Sequence, residues 1–199
     1  MKALLLPLAL AWSGTTVVHF GDSHVASGLT SGLREHFRAQ GARYYSDYWV
    51  SSSTPRWAYS ERLADMLRRR HPDVVIVTLG SNEAYMPNPV GYARHMRRLV
   101  ARLQTVGLRD ARRSCFWIGP PRYEHLNVDR IVAVQQQNAT PCRYFDSRAI
   151  DAPRGHTRLH FTREGGVQWA DAIWNWMNEA GEVPGEIHAA SPPVAAIPQ

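Results

Sequence analysis

Short apolar runs alternate along the chain with longer stretches whose apolar residues recur every three or four positions. Residues 15–20 (TTVVHF) form a β-branched run that stops at Gly21-Asp22-Ser23-His24. Leu29, Leu33 and Phe37 then recur at helical spacing up to Gly41, which predicts a helix with one buried face. Residues 43–50 predict a second strand, 51–55 a loop, and 59–70 a helix with Leu63, Met66 and Leu67 on one side. Residues 73–79 (DVVIVTL) are apolar almost without a break, the pattern of a strand covered on both faces. They run into Gly80-Ser81-Asn82-Glu83, and residues 89–106 predict a long helix that buries Tyr92, Met96, Leu99, Val100 and Leu103. Residues 115–118 and 142–146 predict two short strands flanking a helix over 128–138. Thr162 is placed to cap a last helix that buries Val167, Ala170, Ile173, Trp174 and Met177.

Five strands alternating with helices predict an α/β fold: a three-layer α/β/α sandwich around a five-stranded parallel sheet. Working residues in such sheets gather at the carboxyl ends of the strands. The loops after the first, second, third and fifth strands hold Ser23, Ser51 to Ser53, Asn82 and His160.

Size and charge narrow the possibilities. A chain of 199 residues, 44% hydrophobic and 20% charged, has room for one well-cored domain and is not disordered throughout. No run approaches the ~20 apolar residues of a bilayer span, which argues against stable membrane insertion. The net charge is +6, and nearly all of the positive charge is arginine scattered along helical stretches. That distribution reads as solvated faces rather than a nucleic-acid footprint.

Residues 1–14 (MKALLLPLALAWSG) have the lysine, apolar run and small residues of a secretory leader cleaved around Ala11 to Gly14. The expected organisation is therefore a leader over 1–14, a domain over 15–180 and a disordered Pro/Ala-rich tail over 181–199, in a periplasmic or secreted protein. Cys115 and Cys142 open the fourth and fifth strands. If those strands are neighbours, the two residues lie within disulfide reach; two unpaired buried thiols are the alternative.

Ser23 stands at a sharp strand-to-helix turn, where its hydroxyl is exposed and its own N–H can face a bound carbonyl. Asn82 offers a second donor and His160 a base, the three parts that ester cleavage needs. Gly21-Asp22-Ser23, Gly80-Ser81-Asn82 and His160-Phe161-Thr162, in that order and context, resemble the SGNH (GDSL-like) hydrolase family. The resemblance spans nearly the whole folded chain. It implies Ser23 as nucleophile, His160 as general base, the Ser23 N–H and the Asn82 side chain in the oxyanion hole, and no metal or organic cofactor. His24 makes the motif GDSH, which resembles the branch that includes polysaccharide and peptidoglycan O-acetylesterases and O-acetyltransferases.

Two positions depart from the family pattern. The glycine usual after the second strand is replaced by serines, so Ser52 is the candidate for the third oxyanion donor. The aspartate expected three residues before the histidine is Thr157. Three outcomes are open: a Ser–His dyad oriented by backbone, Asp151 reaching in from the same loop, or a retired site. Trp49, Trp57, Tyr85 and Tyr123 are candidates for stacking on sugar rings, and Arg56, Arg122 and Arg158 for binding an anionic group. The expected activity is removal of a small acyl group, acetyl foremost, from a carbohydrate ester through an acyl-enzyme on Ser23. Acyl transfer to a cell-wall polysaccharide and carbohydrate binding without catalysis are the rival readings.

Overall fold

In the computed structural model, which describes residues 12–26, 28–86, 88–108 and 113–179, five strands form one parallel sheet. They are β1 (Thr16–Gly21), β2 (Arg43–Tyr48), β3 (Val74–Thr78), β4 (Ser114–Ile118) and β5 (Arg143–Phe145), in the order β2-β1-β3-β4-β5. The helices are α1 (Leu29–Ala39), α2 (Thr54–Ala58), α3 (Glu61–Arg70), α4 (Ala93–Thr105), α5 (Asp129–Asn138) and α6 (Arg163–Glu179). The expected three-layer sandwich is what forms.

Alternation along each inner strand divides the core in two. Val17, Ile76, Phe116 and Ile118 point to one face, where Leu29, Leu33 and Phe37 of α1 meet Trp169, Ala170, Ile173 and Met177 of α6. Val18, Phe20, Val75, Val77 and Trp117 point to the other, against Leu63 and Leu67 of α3, Leu99 and Leu103 of α4, and Ile131 and Val132 of α5. Gly32 sets the spacing of α1 and α6, because a Cβ there would come within 2.6 Å of the Ala170 Cβ.

Trp12, inside the stretch expected as a leader, is a core residue, 2% exposed, edge-on to Phe37 and bonded through Nε1 to Asn178. Residues 1–11 of the expected leader and the tail over 181–199 lie outside the described residues. Because β4 and β5 are neighbours, Cys115 and Cys142 sit side by side with Cα atoms 4.4 Å apart, joined by a disulfide.

Some elements differ from the pattern reading. The loop after β2 turns into α2, with Ser53 as N-cap and a proline in its first turn, where a missing N–H costs nothing. Pro89–Tyr92 is a 3-10 turn leading into α4. Arg113, grouped by sequence with solvated arginines, is 4% exposed, and its guanidinium donates to the Pro72, Leu103 and Val106 carbonyls, closing the end of α4.

Candidate active site

The site is built on the abrupt exit from β1. Gly21 allows it: a Cβ there would stand 2.0 Å from the Thr78 carbonyl oxygen, so no larger residue fits between β1 and β3. Asp22 then caps a 3-10 turn, Ser23–Val25, its Oδ1 accepting the His24 N–H at 2.9 Å. This presents the partly exposed Ser23 hydroxyl above the carboxyl edge of the sheet.

His160 arrives from the other end of the chain and meets it. Ser23 Oγ lies 2.8 Å from His160 Nε2. The loop carrying the histidine is pinned as a small antiparallel bridge, Arg154 to Phe161, with Gly155 N–H donating to the His160 carbonyl at 2.9 Å. Thr162 then caps α6 as expected, its Oγ1 accepting the Gly165 N–H at 3.0 Å.

Asn82 follows β3, and its Nδ2 donates to the Ser52 carbonyl at 2.7 Å. That bond fixes which end of the amide is nitrogen and leaves the second Nδ2–H available. Ser52 is therefore a holder of Asn82 rather than a third donor: it is fully buried, and its own N–H is taken by the Trp49 carbonyl at 3.0 Å. Glu83 ties the same two loops together, its Oε1 accepting the Thr54 N–H at 2.5 Å and the Thr54 hydroxyl at 2.6 Å.

Asp151 makes no hydrogen bond to His160 among the described residues. It is exposed and lines a neighbouring cleft of about 650 Å³ with Arg122, Arg148, Arg154 and Arg158. Thr157 is exposed as well. Arg154 is the charge that His160 feels: burial first, and then this guanidinium, hold the imidazole below its ordinary pKa. Arg154 itself donates to the Leu159 carbonyl at 2.9 Å and the Arg122 carbonyl at 2.6 Å. Its part was not legible in the sequence, where it is one arginine among many.

Of the candidate stacking residues, Trp57 and Tyr123 are buried and Trp49 is covered by the Arg56 guanidinium at 3.4 Å. Tyr85 is 61% exposed. Arg158 pairs with Glu124 at 3.3 Å. Beneath the site, Asp22 and Glu83 are both fully buried carboxyls. Desolvation pushes Asp22 up to about 8, with Glu83 adding to the rise, and it raises Glu83 likewise. Among the described residues there is no cluster of metal-ligating side chains.

A scan against protein-family profiles finds no match, and no curated protein matches the chain in sequence. Solved structures do match in shape. The psychrotrophic esterase EstA from Pseudoalteromonas sp. superposes with a TM-score of 0.63 at 16% identity, over 83% of this chain and 98% of its own. The acetylxylan esterase Axe2 from Geobacillus stearothermophilus gives 0.65 at 15% identity, over 83% and 95%. The lipase/acylhydrolase from Enterococcus faecalis gives 0.62 at 17% identity, over 87% and 100%. The chain has the fold of these proteins.

Proposed function

We propose that this protein is an ester hydrolase of the SGNH kind that removes a small acyl group, acetyl foremost, from a carbohydrate. The observation that carries the reading is the 2.8 Å contact between Ser23 Oγ and His160 Nε2, formed across 137 residues of sequence at the carboxyl edge of the sheet. In the proposed reaction Ser23 Oγ bonds to the ester carbonyl carbon as its proton passes to His160 Nε2. The oxyanion that forms is met by the Ser23 N–H and the second Nδ2–H of Asn82. Collapse breaks the bond to the sugar oxygen, which takes the proton from His160. Water deprotonated by the same ring then releases the acyl group and restores Ser23.

The low pKa of His160 suits it to act as a base at neutral pH, since the ring is then unprotonated. Catalytic mutants of Axe2 change an aspartate and a histidine three positions apart. The same spacing here pairs Thr157 with His160, so the proposed machinery is a Ser–His dyad. Two acetylxylan esterases among the structural neighbours support an acetylated carbohydrate as substrate, and of the four candidate stacking residues Tyr85 is the exposed one, its ring open to a sugar face. The disulfide supports an exported, oxidising location.

The test is p-nitrophenyl acetate hydrolysis, with fluorophosphonate labelling, by the protein and its Ser23→Ala and His160→Ala variants. Turnover by the parent that falls to background in both variants is expected. Labelling of Ser23 without hydrolysis would favour the acyltransferase reading. Neither turnover nor labelling would favour a retired carbohydrate-binding relative, the reading Thr157 speaks for.

A further inference from the structure

A Ser–His pair without an acid leaves open what holds the imidazole in place. Besides Ser23, no described side chain hydrogen-bonds His160, but a ring lies against it. The His24 and His160 ring centroids are 4.5 Å apart with planes inclined by 32°. His24 is 1% exposed and held from several sides. Its N–H is bonded to Asp22 Oδ1, its Nε2 lies 2.9 Å from the Tyr123 hydroxyl, and that hydroxyl lies 2.6 Å from Ser81 Oγ. Trp169 stands edge-on to it at 6.2 Å, itself bonded through Nε1 to Ser147. A ring so anchored is a fixed wall for the one beside it.

We propose that His24 is the positioning residue for His160, its ring taking over the alignment that a carboxylate would otherwise provide. The proposal rests on the esterase reading above. When His160 takes the Ser23 proton, its new positive charge forms beside an uncharged ring, centroids 4.5 Å apart, that supports its plane without repelling it. His24 suits that role because it stays uncharged: burial, and then the charges of His160 and Arg154, hold its pKa down to about 3. Tyr123 and Ser81, from the loops after β4 and β3, complete the anchor.

The experiment measures kcat and KM for p-nitrophenyl acetate, together with melting temperature, in His24→Phe, His24→Leu and Tyr123→Phe. Phenylalanine keeps a ring face and is expected to retain kcat within about threefold, whereas leucine fills the space without one and loses about tenfold in kcat with KM little changed. Tyr123→Phe keeps both rings but cuts the anchor, and is expected to lower kcat by about threefold. Equal kcat in the Phe and Leu variants at equal melting temperature would overturn the proposal. If the Leu variant does not fold, an unchanged kcat in Tyr123→Phe overturns it. A parent protein that neither turns over nor labels at Ser23 overturns both readings, while an active parent indifferent to these changes overturns this one alone.

Discussion

Asn82 owes its alignment to one backbone carbonyl, that of Ser52, and Ser52 in turn is held by Trp57, whose indole N–H donates to Ser52 Oγ at 2.8 Å. Replacing Asn82 with Ala is expected to lower kcat by about 10²–10³ with little change in KM, as loss of one oxyanion donor does elsewhere. Steady-state kinetics on a small acetyl ester would show it. Arg154→Gln removes the positive charge that helps keep His160 deprotonated, so the His160 pKa should rise. The acid limb of the kcat/KM profile should then move to higher pH, read from a pH titration of initial rates. Asp151→Asn should leave kcat within about twofold, because that carboxylate does not reach the ring. Ser23 and Asn82 stood out as candidates because each follows directly on an apolar strand, and His160 because it stands just before the last helix; the structure brings Ser23 and His160 together. The His24 contact was not legible, since it joins residues 136 positions apart, and neither were the Arg154 bonds, which depend on how an irregular loop folds back on itself and on Arg122, a path no periodicity encodes.

At the scale of elements, strands and long helices announced themselves through their apolar spacing, and the disagreements fall on short pieces. α2 is five residues long, and its Ser-Thr-Pro start reads equally well as a loop. The strand order settled what the cysteines do, because only adjacency of β4 and β5 brings them within reach. The disulfide closes a loop of 27 residues, for which the chain-entropy account gives about 3.5 kcal/mol. Replacing both cysteines with Ala should lower the unfolding free energy by about that amount in urea titrations. Activity in the folded variant should persist, because the bridge lies at the end of the sheet away from Ser23.

For the whole molecule, burial of titratable groups sets the response of stability to pH. His19, bonded to Tyr44 at 2.6 Å and Thr78 at 2.8 Å, is held down to about 3 by burial, as His24 is. Both are more basic when unfolded, so the unfolded state binds more protons between about pH 3 and 6.5 and their contribution is lost on acidification. Asp22 works in the opposite sense: with a folded pKa near 8 it opposes folding increasingly as pH rises from about 4. Glu83, raised as well, acts in the same direction. The two trends oppose each other between about pH 4 and 6.5, so the melting temperature should vary less there than below pH 4, where only the histidines act, or between about 6.5 and 8, where only the carboxyls do. Thermal scans across that range would check it, and Asp22→Asn should weaken the fall on the alkaline side.

The close packing at Gly32 has a consequence for catalysis. Ser23 leads into α1 and His160 leads into α6, and those two helices touch where Gly32 faces Ala170. On the proposed reading, the gap between nucleophile and base then works like that of a caliper, with its stop at the contact between positions 32 and 170. Gly32→Ala should force the arms apart and weaken acyl transfer without altering any group that touches the ester. Paired changes at positions 32 and 170 offer a way to tune the reaction from the core.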